Sequence, residues 1–256
     1  MQAMLADFPA IYGPVYLLIF VRISAAFVAA PVLGSRLLPM PLRIGLALLI
    51  AVVMIPVVPV RHVPSAVPEY VLALAREAAI GLLAGFGLHL VFLIIQFTAG
   101  TIGVQMGLSL PSGFDAYGVE QEIVLERFMV ALATLVFLQV DGLHLFLLGL
   151  QSLFLAFPVG DLSLPSLGAE KLIDLFSNTF VFGMRLAMPM LGALLVADVG
   201  LAIAARAVPQ LNLFAVGIPV KIALGIFGLS VSLPPLLTEL SSLFRRLLLE
   251  MGIWAG

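Results

Sequence analysis

Long apolar runs separated by short polar breaks extend along the whole chain. The runs cover residues 8–33, 42–60, 78–104, 128–157, 175–204 and 211–237. A helix needs about 20 predominantly apolar residues to cross the hydrocarbon core of a bilayer, and the runs are near or above that length. None of the breaks is long enough for a second domain. The pattern predicts an all-α, integral membrane-type protein with about six helical regions, several broken by Pro or Gly, in one domain of residues 1–256.

Residues 206–221 place helix-breaking and polar side chains inside one of the most apolar parts of the chain. Pro209 and Pro219 lack an N–H, and each clashes with the carbonyl one turn earlier, so a helix through them loses backbone bonds that lipid cannot replace. We therefore predict a broken-helix segment that is covered by protein. Its packing residues are Arg206, Pro209, Gln210, Asn212, Gly217, Pro219 and Lys221.

Charged side chains also occur within the apolar runs. They are Arg22, Arg185, Asp198, Lys221 and the pair Asp141 and His144. A charge at the centre of a bilayer costs at least roughly 2.5–3.5 kcal/mol on insertion scales, so these groups are expected to face protein, water or one another. We assign Arg22 to subunit packing together with the broken-helix segment.

The cations that flank the runs do not define an orientation. If the six runs cross the membrane in turn, five Lys or Arg residues lie on one side and four on the other. Two explanations stay open: noise in a short count, or segments that are not simple bilayer crossings.

Small residues at helical spacing predict close helix packing. Gly81 and Gly85 form one GxxxG pair, and Gly103 and Gly107 form a second. Such pairs let helix backbones approach closely in membranes. Near the end of the chain, leucines over residues 236–254 form an amphipathic pattern, which suits either a helix on the bilayer surface or a docking helix for a partner.

The composition excludes several classes of function. The chain is 62% hydrophobic and 10% charged, with a net charge of -2, so it has no basic surface for nucleic acid. It has no cysteine, and His62, His89 and His144 show no zinc spacing, so no metal site is predicted. Nucleotide-binding and serine-hydrolase motifs are also absent from the sequence. We predict a protein that is not an enzyme and needs no cofactor.

Asp141 and His144 are the residues best suited to proton chemistry. They lie three apart on one helical face and could form a proton relay, and Asp141 could pair with Asp198 as a carboxylate dyad. The alternative is structural: Asp141-Gly142 marks a break between two helices, and the carboxylate caps the second one.

The break at residues 105–126 differs from the others because it combines glycines with large apolar side chains. A loop that carries Leu, Phe and Tyr is poorly solvated by water, so these groups should fill a cavity. One possibility is a gate, since hydrophobic constrictions close pores by dewetting; the other is a re-entrant connector that only packs. The predicted plug residues are Leu108, Ser109, Leu110, Phe114, Asp115 and Tyr117.

Several strings, in the same order along nearly the whole chain, resemble the FliR family of flagellar biosynthesis proteins. The strings begin at Arg22, Ala30, Arg43, Gln105, Pro209 and Gly217, and read RISA, APVLG, RIGLA, QMGLS, PQLNLF and GIPVK. The PQLNLF segment in its proline-bounded setting is the most specific. The chain has Asp115-Ala116 where the family tends to have Asp-Pro, which leaves the shape of the loop open.

The resemblance implies a subunit of the type III export gate, with similar homologues in virulence secretion. It implies a helical hetero-oligomer with multiple copies of two other small membrane subunits, and contact with the substrate-switch membrane protein, exported unfolded proteins and membrane lipid. The expected site is the bacterial inner membrane, in the flagellar basal body. The expected role is structural and gating, needed for export of flagellar subunits, with the loop as the pore plug.

Two rival functions belong to other classes. A proton-coupled secondary transporter also uses interrupted helices near charged residues. An intramembrane protease would require Asp141 and Asp198 to share a water molecule.

Overall fold

The computed structural model describes residues 2–34, 38–62, 66–108, 124–161, 169–208 and 213–251, and these ranges are helical almost throughout. The helices are α1 (Gln2–Ala29), α2 (Met40–Met54), α3 (Val67–Met106), α4 (Val124–Gln139), α5 (Gly142–Ala156), α6 (Ala169–Ala207) and α7 (Leu213–Glu250). Within the described ranges the extended structure is one isolated bridge between Val60 and Val159. The all-α prediction is confirmed.

The fourth predicted apolar region, residues 128–157, contains two helices rather than one. Asp141 adopts a left-handed conformation with φ of 56°, and the axes of α4 and α5 differ by 70° across it. The predicted break at Asp141-Gly142 is therefore present. The predicted cap is not, because the Asp141 side chain makes no capping hydrogen bond; the bend comes from the backbone conformation instead.

Prolines interrupt the apolar helices less than the sequence analysis predicted. Pro219 was expected to break a helix, but it lies inside α7, as do Pro234 and Pro235. Pro189 likewise lies inside α6. Each costs a backbone hydrogen bond, yet a helix of 38 or 39 residues keeps many others. Helix α6 ends at Ala207 and α7 begins at Leu213.

The chain divides into two compact units. The first comprises Met1–Leu90, Val140–Leu175 and Phe244–Gly256, and the second comprises Val91–Gln139 and Phe176–Leu243. Helices α3, α6 and α7 each contribute to both. The single-domain expectation for residues 1–256 stays a prediction.

In the first unit, α1, α2, the first half of α3 and α5 surround an apolar core. Tyr16 donates a hydrogen bond to the carbonyl of Leu48, which joins α1 to α2, and Tyr70 donates to Pro14, which joins α3 to α1. The end of α7 also packs here, since a Cβ at Gly149 would lie 2.9 Å from the Leu248 carbonyl oxygen. The amphipathic end of the chain thus buries part of its apolar face within its own unit.

In the second unit, the last half of α3, α4, α6 and α7 enclose an apolar cavity of about 40 Å³. Its walls include Ile94, Ile102, Met129, Leu186 and Leu229. Gly183 lets α6 approach α3 closely, because a Cβ there would meet the side chain of Ile94 and would lie 2.9 Å from Thr98 Oγ1.

Three of the described helices are long and apolar enough to cross a membrane, and the bent pair α4 and α5 could form a fourth span. These three differ in how much they are covered. The apolar window of α3 is 61% buried, whereas the windows in Phe176–Ala207 and Ala215–Leu249 are 17% and 11% buried. The described part of the chain therefore leaves most of the apolar window of α6 and of α7 uncovered.

Candidate functional site

The first polar cluster lies in the core of the first unit, around Arg22 of α1. Both Arg22 and Glu77 of α3 are fully buried, and Arg22 Nε donates a hydrogen bond to Glu77 Oε2. The other two guanidinium nitrogens donate to backbone carbonyls at the end of α5: Nη1 to Leu153 at 3.3 Å and Nη2 to Phe157 at 2.9 Å. One arginine therefore joins three helices.

Further contacts complete this Arg22 cluster. The guanidinium carbon of Arg22 lies 4.1 Å from the centre of the Phe154 ring, which is a cation–π geometry. Arg76 Nη1 lies 3.6 Å from Glu77 Oε1 and donates to the Pro158 carbonyl at 3.3 Å. Because α5 has no basic residue in its last turn, α1 and α3 supply the cations for its negative end.

Close packing of α1 and α3 makes the Arg22 cluster possible. Glu77, Gly81 and Gly85 are four residues apart and so lie on one face of α3. A Cβ at Gly81 would collide with the Arg22 carbonyl and would lie 2.9 Å from Ala25 Cβ; one at Gly85 would lie 3.0 Å from the Ala30 nitrogen. The two glycines thus bring the backbone of α1 within reach of Glu77.

The second polar cluster lies in the second unit, around Asp198 of α6. Lys221 Nζ, on α7, lies 2.8 Å from Asp198 Oδ1. Gln105 Nε2, on α3, donates to Asp198 Oδ2 at 2.8 Å. The side chains of Asp198 and Lys221 are 40% and 18% exposed. Both carboxylate oxygens are engaged, so Asp198 joins α6 to α7 and to the last turn of α3.

Next to the Asp198 cluster, Gly107 ends α3. Its φ of 79° is a conformation that favours glycine, and its N–H bonds the Val104 carbonyl at 3.0 Å. The Leu108 N–H bonds the Gly103 carbonyl at 2.9 Å, which completes a Schellman motif. Gly107 thus lies just after the helix, where it terminates α3, so Gly103 and Gly107 do not form a packing pair within one helix. Gly103 itself is buried in α3.

The structure describes only part of the predicted plug and broken-helix segment. Leu108 is 40% exposed. Arg206 is exposed in the last turn of α6, and Gly217 is buried, with room for a Cβ 3.4 Å from Leu201 Cδ1. The predicted residues that lie outside the described ranges are Ser109, Leu110, Phe114, Asp115, Tyr117, Pro209, Gln210 and Asn212. Pro219 is exposed in α7, two residues before Lys221.

The predicted proton relay does not form in the described part of the chain. Asp141 occupies the bend and His144 lines an apolar groove in the first unit with Leu49, Val53 and Gln151; no hydrogen bond joins Asp141 to His144. Within the described ranges no three His, Asp or Glu side chains are grouped for a metal ion.

Glu77, Arg76 and Gln105 belong to these clusters but are not predicted as members by the sequence. Residues 61–77 were assigned to a polar break, whereas α3 begins at Val67 and includes the Arg76-Glu77 pair. One signal was available, because Glu77 is four residues before Gly81 and so shares its packing face.

The sequence that forms these helices belongs to a recognisable class of protein. Residues 14–247 match the sequence profile described as bacterial export proteins, family 1, which covers most of the chain. The chain therefore belongs to that family of export proteins.

Curated relatives narrow the assignment to the FliR family, as the sequence strings predicted. The chain is 32% identical over 251 residues to the flagellar biosynthetic protein FliR of Bacillus subtilis, covering 94% of this chain and 96% of the relative. It is 34% identical over 218 residues to FliR of Escherichia coli K12, covering 84% and 82%. FliR of Pectobacterium carotovorum is 33% identical over 216 residues, again covering 84% and 82%.

Proposed function

We propose that this chain is a structural and gating subunit of the flagellar protein export channel, in the inner membrane at the flagellar basal body. The observation that carries the proposal is that α6 and α7 are long and that most of their apolar windows are exposed. At 1.5 Å per residue these helices are about 57–58 Å long, roughly twice the 30 Å hydrocarbon core. Their apolar windows are at most 17% buried. Exposed apolar side chains extend along α6 from Phe176 to Ile203, about 40 Å, which a bilayer alone cannot cover but neighbouring subunits of an export apparatus can.

The family supports the export role. The relatives are named flagellar biosynthetic proteins, and the match extends over most of each chain. A proton-coupled transporter is less well supported, because a substrate or proton site needs a free polar group at the helix break. Asp198 is the carboxylate nearest the α6–α7 break, and Lys221 and Gln105 already engage it.

The proposed partners are two other small membrane subunits in multiple copies and the substrate-switch membrane protein. Exported unfolded chains would pass through the channel, and lipid would cover the remaining apolar surface. Arg206, Gln210 and Asn212 are proposed to contact neighbouring subunits, since a broken helix leaves backbone groups that need polar partners in an apolar setting. Nucleic acid has no place in this role.

The proposed plug is the segment that starts at Leu108. Its support is the sequence, which combines glycines with Leu108, Leu110, Phe114 and Tyr117, and the resemblance of the surrounding string to the FliR family. The Schellman turn at Gly107 and the Asp198 cluster define where this segment leaves α3.

The export role is tested by deleting the gene and measuring flagellar subunits released into the medium. We expect release to stop and to return with the wild-type gene. Undiminished release from the deletion strain would show that the chain has another role.

The plug is tested separately, by recording ion conductance of the purified complex in planar bilayers. Shortening residues 110–117 should raise conductance at least several-fold, because the apolar constriction would be lost. The control variant is Asp161→Asn, in the segment between α5 and α6, and it should leave conductance unchanged. If the shortened loop conducts like the wild type, the plug lies elsewhere.

A further inference from the structure

Helix α6 carries two opposite stripes of side chains in the second unit. One stripe is buried and consists of Thr179, Gly183, Ala187, Met190 and Leu194. The other stripe is exposed and consists of Val181, Arg185, Met188, Gly192, Leu195 and Val199. The spacing between successive exposed residues alternates between four and three positions. This is the heptad spacing of a helix face that packs against another helix. The described part of the chain covers the buried stripe and leaves the other stripe exposed.

Arg185 is the charged group within the exposed stripe. Among the residues that the structure describes, it makes no hydrogen bond or ion pair, and exposed apolar residues lie on both sides of it. From Arg185 the apolar surface extends about 13 Å back to Phe176 and about 27 Å forward to Ile203, at 1.5 Å per residue. A guanidinium inside such a surface requires an anion when the surface is covered.

Two neighbours of Arg185 make the same stretch receptive to a helix. Pro189 has no N–H to donate to the Arg185 carbonyl one turn earlier, so this carbonyl is left without its intrahelical partner. Gly192 has no atom within 4 Å of the position of a Cβ, so its surface is open to close approach. An open glycine surface near a cation and near a carbonyl that lacks its intrahelical partner suits a second backbone at short distance.

We propose that the exposed stripe of α6 is the docking surface for an apolar helix of another subunit, and that this helix carries an Asp or Glu opposite Arg185. Lipid is the other possible source of an anion, in the form of a headgroup phosphate. If Arg185 lay at headgroup level, however, Phe176 and Phe180 would lie outside the hydrocarbon core on one side. The exposed apolar surface of α6, which includes the stripe and extends from Phe176 to Ile203, is about 40 Å long, longer than the roughly 30 Å core. A partner helix can be longer than the hydrocarbon core is thick, so it can cover the whole of this surface.

The discriminating experiment compares Arg185→Leu with Arg185→Lys in the complex extracted from native membranes with a tag on this chain. This test rests on the proposed function, because it requires that a complex exists. If no membrane protein purifies with the wild-type chain, the proposed function fails. If a complex purifies and Arg185→Leu leaves it unchanged, only the docking proposal fails.

The two anion sources predict opposite results for Arg185→Leu. A lipid-facing position would tolerate leucine as well as arginine, and the amount of partner would not fall. A partner carboxylate would be left unpaired, and we expect about tenfold less co-purified partner, with a smaller loss for Arg185→Lys. The matched control is Arg246→Leu, at an exposed arginine on α7 outside the stripe, which should change the yield of that partner little.

The identity of the partner surface is tested by a photocrosslinking residue at Met188, one turn from Arg185. We expect the crosslinked peptide to be an apolar helix with an Asp or Glu, and exchange of that residue for Arg together with Arg185→Glu should restore the complex. Crosslinks only to lipid, to a second copy of this chain, or to a helix without a carboxylate would overturn the proposal. Thermal unfolding of the purified Arg185→Leu chain checks that the variant is folded.

Discussion

The Arg22 and Asp198 clusters use the same chemistry in different surroundings. In each, a cation and a carboxylate from two apolar helices meet, and a third helix completes the contact. Arg22 and Glu77 have no exposed surface, whereas the side chain of Asp198 is 40% exposed. Around Arg22 the hydrogen bonds go to the carbonyls of α5, so they stabilise the inside of a unit. Around Asp198 they join α6 and α7 to the last turn of α3 at a partly exposed site.

The difference in burial implies a difference in role. A buried ion pair is costly to break, because the remaining charge has neither water nor a counter-ion. An ion pair at the surface contributes little to the free energy of unfolding, because water replaces much of what is lost. The Arg22 cluster should therefore determine whether the first unit folds, and the Asp198 cluster should join α3, α6 and α7 while contributing little to the free energy of unfolding.

Breaking the Arg22 cluster from one side should give the largest effect. Arg22→Met leaves Glu77 buried without its main partner, and we expect a loss of about 3–5 kcal/mol in the free energy of unfolding. Thermal unfolding of the purified chain in detergent measures it. The double variant Arg22→Met with Glu77→Met should recover part of this loss, since neither charge then remains buried. A single variant as stable as the wild type would contradict the assigned burial.

Crowding the contact between α1 and α3 should give the next largest effect. Gly81→Ala places a methyl group against the Arg22 carbonyl and Ala25, and the expected destabilisation is about 1–3 kcal/mol. The matched control is Gly45→Ala in α2, where no atom lies within 4 Å of the new methyl group. The control should be neutral or slightly stabilising, because alanine favours helix. Equal losses at both positions would mean that helix contact is not the cause.

Removing the charge of Asp198 should give a smaller change in stability. For Asp198→Asn we expect at most about 1 kcal/mol, because the site is partly exposed. The amide still has an oxygen to accept from Lys221 or Gln105. A double-mutant cycle with Lys221→Met measures the coupling between the two side chains. A loss as large as that of Arg22→Met would remove the contrast between the clusters.

The exposed pair of Arg61 and Asp161 should give the smallest effect. Arg61 Nη1 lies 2.8 Å from Asp161 Oδ2, but the arginine side chain is 70% exposed. We expect Arg61→Ala to change the unfolding free energy by less than about 0.5 kcal/mol. Guanidinium chloride or heat unfolding serves equally as the measurement. An effect above 1 kcal/mol would show that burial does not rank these ion pairs.

The helices themselves were largely predictable, but their ends were not. Six apolar runs gave six helical regions because lipid or protein interior demands internally paired backbone. The fourth run contains two helices with a bend at Asp141. Their separation is not visible in the apolar pattern, because Leu, Val and Phe continue on both sides of Asp141. The start of α3 at Val67 was missed, because Glu69, Arg76 and Glu77 resemble a polar loop when their partners are unknown.

The clusters were predictable only in part. Intramembrane charge alone indicated that Arg22, Asp198 and Lys221 need partners, but the cost of an unpaired charge does not say which partner it finds. Gln105 was missed because an amide near a helix end has many possible acceptors. The packing glycines Gly81 and Gly85 were visible as a motif, whereas the helix-ending role of Gly107 depends on its positive φ.

Sequence alone determined that this chain is all-α, apolar and a member of an export family, because composition, run length and ordered strings are local properties. Tertiary structure alone decided that Arg22 meets Glu77, that Asp198 meets Lys221 and Gln105, and that α6 leaves one stripe open. Such pairings depend on which helices become neighbours and at what rotation. The neighbours of a helix and its rotation are not properties of any single side chain, because they follow from how all the helices pack together.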